Sequence, residues 1–162
     1  MSNRHELLER IIAESQRHYA AYALFNQAMA DRLGLHPTDL QCVALLDLEA
    51  GPVSTGHIAR LTGLTAGSAS RLVDRLEKAG LAVRESDPED RRRSLVRLAP
   101  GVRERIGQAW DTPGRAYGEV LRSYTDAELE LIADYLRRAT QVGFDQARHL
   151  TADRPQAAPP GA

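Results

Sequence analysis

The stretch from Ser54 to Leu98 constrains this chain more than any other part. It reads STGHIARLTGLTAGSASRLVDRLEKAGLAVRESDPEDRRRSLVRL. In order, the pattern predicts a short helix, a tight turn, a second helix and a two-stranded hairpin tipped with arginines. The second helix is the best marked of these. Thr65 is placed to cap its N-terminus with a hydroxyl. Ala69, Leu72, Val73, Leu76 and Ala79 then recur at the spacing of one helical face. Gly80 follows as a residue able to end the helix in a left-handed conformation.

At 100° per residue the opposite face carries Gly67, Ser70, Arg71, Asp74 and Lys78, with Arg75 at its edge. Taken alone, this pattern favours a surface helix with a solvated polar face over a reading helix. The preceding segment shifts the balance. Ile58, Ala59 and Leu61 are the apolar positions of a helix from Ser54 to Leu61. Thr62-Gly63-Leu64 then supplies a glycine-containing turn of the length that joins two helices at a steep angle. Ser54 is a natural N-cap. The third residue after it is His57 rather than Glu or Gln, so no capping box is complete.

The hairpin comes next. Leu81-Ala82-Val83 and Leu95-Val96-Arg97-Leu98 are the strand candidates. Between them Asp87-Pro88 opens a turn, and Arg91-Arg92-Arg93 crowds three like charges onto its tip. Salt bridges to Asp87, Glu89 and Asp90 would relieve part of that repulsion. Phosphates or a narrow minor groove would relieve it better. The whole is a winged helix-turn-helix, whose second helix enters a DNA major groove. The expected fold class is therefore mainly α with a small β-hairpin wing.

On this reading Thr65, Gly67, Ser68, Ser70 and Arg71 meet base edges or nearby phosphates. The small residues let the backbone approach, and Arg71 has the fork that reads guanine. Arg75 binds phosphate, and Arg91, Arg92 and Arg93 hold the wing to the backbone or minor groove. Ser54, at the start of the first helix, is grouped with them. Asp74 faces outward among cations, and is expected to pair with a wing arginine and set the wing's angle.

A net charge of −1 looks wrong for such a role. Its distribution answers the objection. Residues 60–105 hold 11 Lys and Arg against 7 Asp and Glu, while the remainder holds 10 against 15. An acidic remainder should limit non-specific binding. The 162 residues are long enough for one domain with a core. No apolar run approaches the ~20 residues of a membrane span, and the first residues show no secretory pattern. A cytoplasmic protein is expected. The single cysteine rules out an internal disulfide and a cysteine-rich metal site.

Outside this segment the pattern is helical. Residues 5–33 form one helix, with Leu8, Ile12, Ser15, Tyr19, Tyr22, Asn26, Met29 and Leu33 as a 3.5-period seam, ended by Gly34. A second runs from Pro37 to about Glu49, carrying Leu40, Val43, Ala44, Leu45 and Leu48. Cys42 lies within it and reads as a small buried hydrophobe rather than a redox thiol. Residues 101–122 are helical except where Asp111-Thr112-Pro113-Gly114 predicts a bend or a break. Thr125-Asp126-Ala127-Glu128 is a capping box for a last helix, which carries Leu129, Ile132, Leu136, Ala139, Gly143 and Leu150. Residues 151–162 have the composition of a disordered tail. The expected organisation is a winged-helix domain over 37–99 and a helical dimerisation region from 5–33 and 101–150.

No glycine-rich phosphate loop, metal-ligand spacing of the five histidines, or nucleophile-base arrangement is visible. An enzyme, a cofactor and a bound metal are therefore not expected. A winged-helix protein adaptor would show acidic or apolar residues on the second helix and a short uncharged wing, and neither is seen.

The segment from Leu61 to Leu98 resembles the DNA-binding core of the MarR family of bacterial transcription regulators. Arg71-Leu72-Val73-Asp74-Arg75-Leu76-Glu77, Gly80-Leu81, Asp87-Pro88 and Asp90-Arg91-Arg92 carry the resemblance. One departure is Ala99-Pro100-Gly101 after Leu98, where the family usually has Leu-Thr; it leaves the start of the next helix unfixed. The resemblance implies a homodimer joined through its terminal helices and bound to a pseudo-palindromic operator. A two-fold dimer sets two reading helices about 34 Å apart on one DNA face. It also implies a repressor released by a small aromatic or phenolic effector. His18, Tyr22, Cys42 and Trp110 are the candidates to line the effector cavity, although aromatic residues at helix seams more often serve the core.

Overall fold

The computed structural model describes residues 3–90 and 93–152. The chain divides into two compact units, one up to Arg103 and one from Glu104 onward.

The first unit contains four helices and a small sheet. α1 (Arg4–Leu33) is closed by a reciprocal box in which the Asn3 side chain and Glu6 each accept from the other's end of the first turn. Its far end stops at Gly34, left-handed at φ 66°. α2 (Pro37–Leu48) begins with proline at its first position, where a missing N–H costs nothing. His36 Nδ1 accepts from the Thr38 N–H as its cap. β1 (Val53–Ser54) leads into α3 (Thr55–Thr62), and α4 (Ala66–Lys78) follows after Gly63, left-handed at φ 68°. β2 (Ala82–Ser86) and β3 (Ser94–Leu98) form the antiparallel hairpin.

Val53 and Ser54 pair with Val96 and Leu95, so β3 is central in a three-stranded sheet of order β1-β3-β2. This third strand is not marked in the sequence, because two residues carry no readable alternation. The core lies where α2, α3 and α4 meet the sheet. Ile58, Leu72, Leu76, Leu81, Val43, Val73 and Val96 are its fully enclosed large side chains.

Several expectations change here. The buried face of α2 is Leu40, Cys42, Val43 and Leu46, while Ala44 and Leu48 face outward. Ala79 is exposed, since it lies past the last turn of α4 and adopts the cap position. In the α1 seam only the Met29 end is buried, and Leu8, Ile12, Tyr19 and Tyr22 are exposed.

The second unit holds most of α5 (Val102–Leu121) and all of α6 (Asp126–Ala152). α5 runs through Pro113 without a break. A proline inside a helix removes one N–H donor and crowds one carbonyl, and intact turns on both sides can carry that cost. The capping box forms as expected: the Thr125 N–H donates to Glu128 Oε2 at 2.8 Å and the Glu128 N–H to Thr125 Oγ1 at 3.4 Å. The Thr125 N–H, first, and the Thr125 hydroxyl, which also donates to Glu128 Oε2 at 2.8 Å, hold the Glu128 carboxyl below its ordinary range. Thr151 and Ala152 continue α6 rather than opening a tail, and the rest of that expected tail lies outside the described residues. Among the described residues of this unit none is buried. Among the described residues, no helix is long and apolar enough to cross a membrane.

Candidate nucleic-acid interface

The exposed side of α4 is built from its cap outward. Thr65 Oγ1 accepts from the Ser68 N–H at 3.2 Å and donates to Ser68 Oγ at 3.0 Å. Arg71 Nη2 donates to the same Ser68 Oγ at 3.2 Å. Thr65, Ser68 and Arg71 are therefore one hydrogen-bonded group at the start of the helix. Gly67 lies beside it, with only the Arg71 guanidinium within 4.0 Å of where a Cβ would stand. Ser70 is exposed. Four buried residues on the other side, Ala69, Leu72, Val73 and Leu76, fix which face is presented. Amphipathicity alone determines that orientation.

Arg75 is engaged within the protein. Its Nε donates to Asp39 Oδ2 at 3.0 Å and its Nη2 to Asp39 Oδ1 at 2.6 Å. The hydrogen bonds it donates to Asp39 push the guanidinium further above its already high pKa, against a smaller opposing effect of burial. Nothing in the sequence singles out Asp39, because its partner is far along the chain.

Asp74 pairs with an arginine of the wing, as the pattern suggested, but the partner is Arg84 on β2 rather than the tip. Arg84 Nη2 donates to Asp74 Oδ1 at 2.8 Å and Nη1 to Glu77 Oε2 at 2.5 Å. One guanidinium thus ties the first wing strand to two successive turns of α4. At the loop, Asp87 Oδ1 accepts from the Glu89 N–H at 2.9 Å, the turn expected of Asp-Pro. The Arg93 N–H donates to the Asp90 carbonyl at 2.8 Å and its carbonyl accepts from the Asp87 N–H at 3.1 Å. Arg91 and Arg92 lie outside the described residues.

Ser54 caps α3 by accepting from the His57 N–H at 3.2 Å. Both strand pairing and capping therefore hold it in place. The four effector candidates belong to different parts of the chain. His18 and Tyr22 are exposed on α1, and Trp110 lies in the second unit. Cys42 is 1% exposed and presents no surface to a ligand as the chain stands. Its thiol is pushed up to about 12, by burial first and the Asp39 charge second, so a reactive thiolate is not available there. A cleft of about 290 Å³ opens elsewhere, lined by residues that include Leu46, Glu49, Pro52, Arg97 and Pro100.

A capped, small-residue helix start, packed against a helix pair and flanked by a tethered basic hairpin, defines a DNA-binding winged helix. A family model described as the MarR family matches residues 33–93. The uncharacterized HTH-type transcriptional regulator YcgE of Bacillus subtilis is 40% identical over 127 residues, covering 78% of this chain and 82% of that protein. YdgJ of the same organism, also an uncharacterized HTH-type regulator, is 30% identical over 105 residues, or 65% of this chain and 63% of that one. A MarR family regulator from Silicibacter pomeroyi superposes with a TM-score of 0.68 at 21% identity, covering 89% of this chain and 96% of that one. For the regulator SlyA the TM-score is 0.62 at 17% identity, with 86% and 98% covered. The chain belongs to the MarR family of transcriptional regulators, which are not enzymes.

Proposed function

We propose that the protein is a homodimeric repressor that binds a pseudo-palindromic operator and releases it on binding a small aromatic effector. The second unit carries the dimer reading. None of its described residues is buried, yet it displays Tyr117, Val120, Leu121, Tyr124, Leu131, Tyr135, Leu136, Val142 and Leu150 to solvent. Apolar burial is the main favourable term in folding, so two long helices without a core require a partner surface. A second copy supplies one with the two-fold symmetry that a palindromic site needs.

In this reading Thr65, Gly67, Ser68, Ser70 and Arg71 face base edges, and Arg75 with the wing arginines Arg91, Arg92 and Arg93 faces phosphates. Ser54 holds the start of α3 beside the backbone. Sedimentation at equilibrium together with a gel shift on DNA from the gene's own upstream region tests both halves. A dimer that retards this DNA, and yields it when a phenolic acid is added, is the expected result. A strictly monomeric protein without affinity for any duplex refutes the reading.

A further inference from the structure

Among the described residues, Asp39 is the sole charged residue that is buried, at 6% exposure. It stands in the first turn of α2, where the helix's free N–H ends favour a negative charge. Both carboxylate oxygens go to one guanidinium, that of Arg75, in a parallel two-pronged fork. The partners are unequally placed: the Asp39 side chain is 8% exposed, and that of Arg75 is 50% exposed. The pair therefore has an inner anchor and an outer end.

As glue between α2 and α4 this is a poor choice. Desolvating a carboxylate costs about as much as the pairing returns, and apolar side chains of similar volume serve as well or better. The fork does one thing that an apolar pair cannot. It fixes a long, flexible cation in one orientation before any ligand arrives. The bonds use Nε and Nη2, which leaves the Nη1 end of the guanidinium for an outside acceptor. Arg75 follows Arg71 by four residues and precedes Lys78 by three, so the three cations line one side of α4.

We propose that Asp39 is a positioning residue for DNA recognition. It aims the outer edge of Arg75 at a backbone phosphate beside the bases read by α4, and so sets the register of that helix in the groove. The proposal rests on the DNA-binding reading above and adds to it a buried acidic residue whose effect passes through one arginine.

The experiment uses the full-length protein and two probes: a duplex that the wild type selects from a random-sequence library, and an unselected duplex of equal length. Wild-type protein that retards neither duplex would defeat the DNA-binding reading itself, and the proposal with it, before any variant is made. With binding established, Arg75→Gln is expected to weaken the selected duplex about tenfold and to lower the salt slope by about one phosphate contact. Asp39→Asn removes a negative charge near DNA, so a purely electrostatic role predicts tighter binding. Positioning predicts the opposite sign: about tenfold weaker binding of the selected duplex, little change on the unselected one, and no additional loss in the Asp39→Asn/Arg75→Gln double variant. Equal or tighter binding by Asp39→Asn overturns the proposal, as does a double variant whose losses multiply. Arg75→Lys keeps the charge but not the fork, and keeps the measurement decisive if Asp39→Asn does not fold. It should lose several-fold in affinity with a nearly unchanged salt slope, and wild-type affinity in this variant also overturns the proposal.

Discussion

The tether between the wing and α4 allows the most detailed prediction. Arg84 donates to Asp74 and Glu77 at once, and its side chain is 31% exposed. Partly exposed ion pairs each contribute about 0.2–1 kcal/mol. Replacing Arg84 with Ala removes two of them. It also leaves two carboxylates three residues apart on one helix face, a repulsion of about 0.2–0.5 kcal/mol. The expected loss of folding stability is therefore about 1–2 kcal/mol, read as a lower urea midpoint at fixed protein concentration.

The consequence for DNA follows from geometry. A wing released from α4 must be ordered again on binding, and about 1.4 kcal/mol of that cost would weaken operator affinity tenfold. Charge loss and tether loss are separable. Asp74→Asn with Glu77→Gln keeps Arg84 and makes the surface more positive, yet it cuts the same tether. This double variant should therefore lose selectivity between operator and random duplex even as non-specific binding rises. A double-mutant cycle between Arg84→Ala and Glu77→Gln measures the pair directly. A coupling below about 0.3 kcal/mol, with operator affinity unchanged in Arg84→Ala, would refute the tether.

Other outcomes follow from the core, the thiol and the last helix. Leu76 is fully buried on α4, and Leu76→Ala should lower stability by about 2–5 kcal/mol in a urea titration. Cys42, pushed up to about 12, should resist a thiol-disulfide reagent at about pH 8 in the folded protein and react at the rate of a free thiol in denaturant. Glu128 has a folded pKa below its unfolded one. Its stabilising contribution is therefore present above the unfolded value of about 4.3 and fades as pH falls toward the folded value. The advantage of wild type over Glu128→Gln, read from amide exchange in the first turn of α6, should shrink over that interval.

Sequence alone determined the parts whose causes lie within a few residues. The Thr65 cap, the Gly63 turn, the Thr125–Glu128 box, the Asp87-Pro88 turn and the four-residue apolar face of α4 each depend on neighbours along the chain. Hydrogen-bonding reach and helical period specify them locally. Tertiary structure alone decided the engagement of Arg75 and Arg84. Arg75 meets a carboxylate 36 positions away, where α2 and α4 approach, and Arg84 meets two across the turn between α4 and β2. The same holds for β1, a two-residue strand that exists because β3 offers it a partner. An ion pair or a ladder bond is set by distance in space, and a linear pattern of charge and hydropathy does not encode which distant groups the packed core will bring within 3 Å.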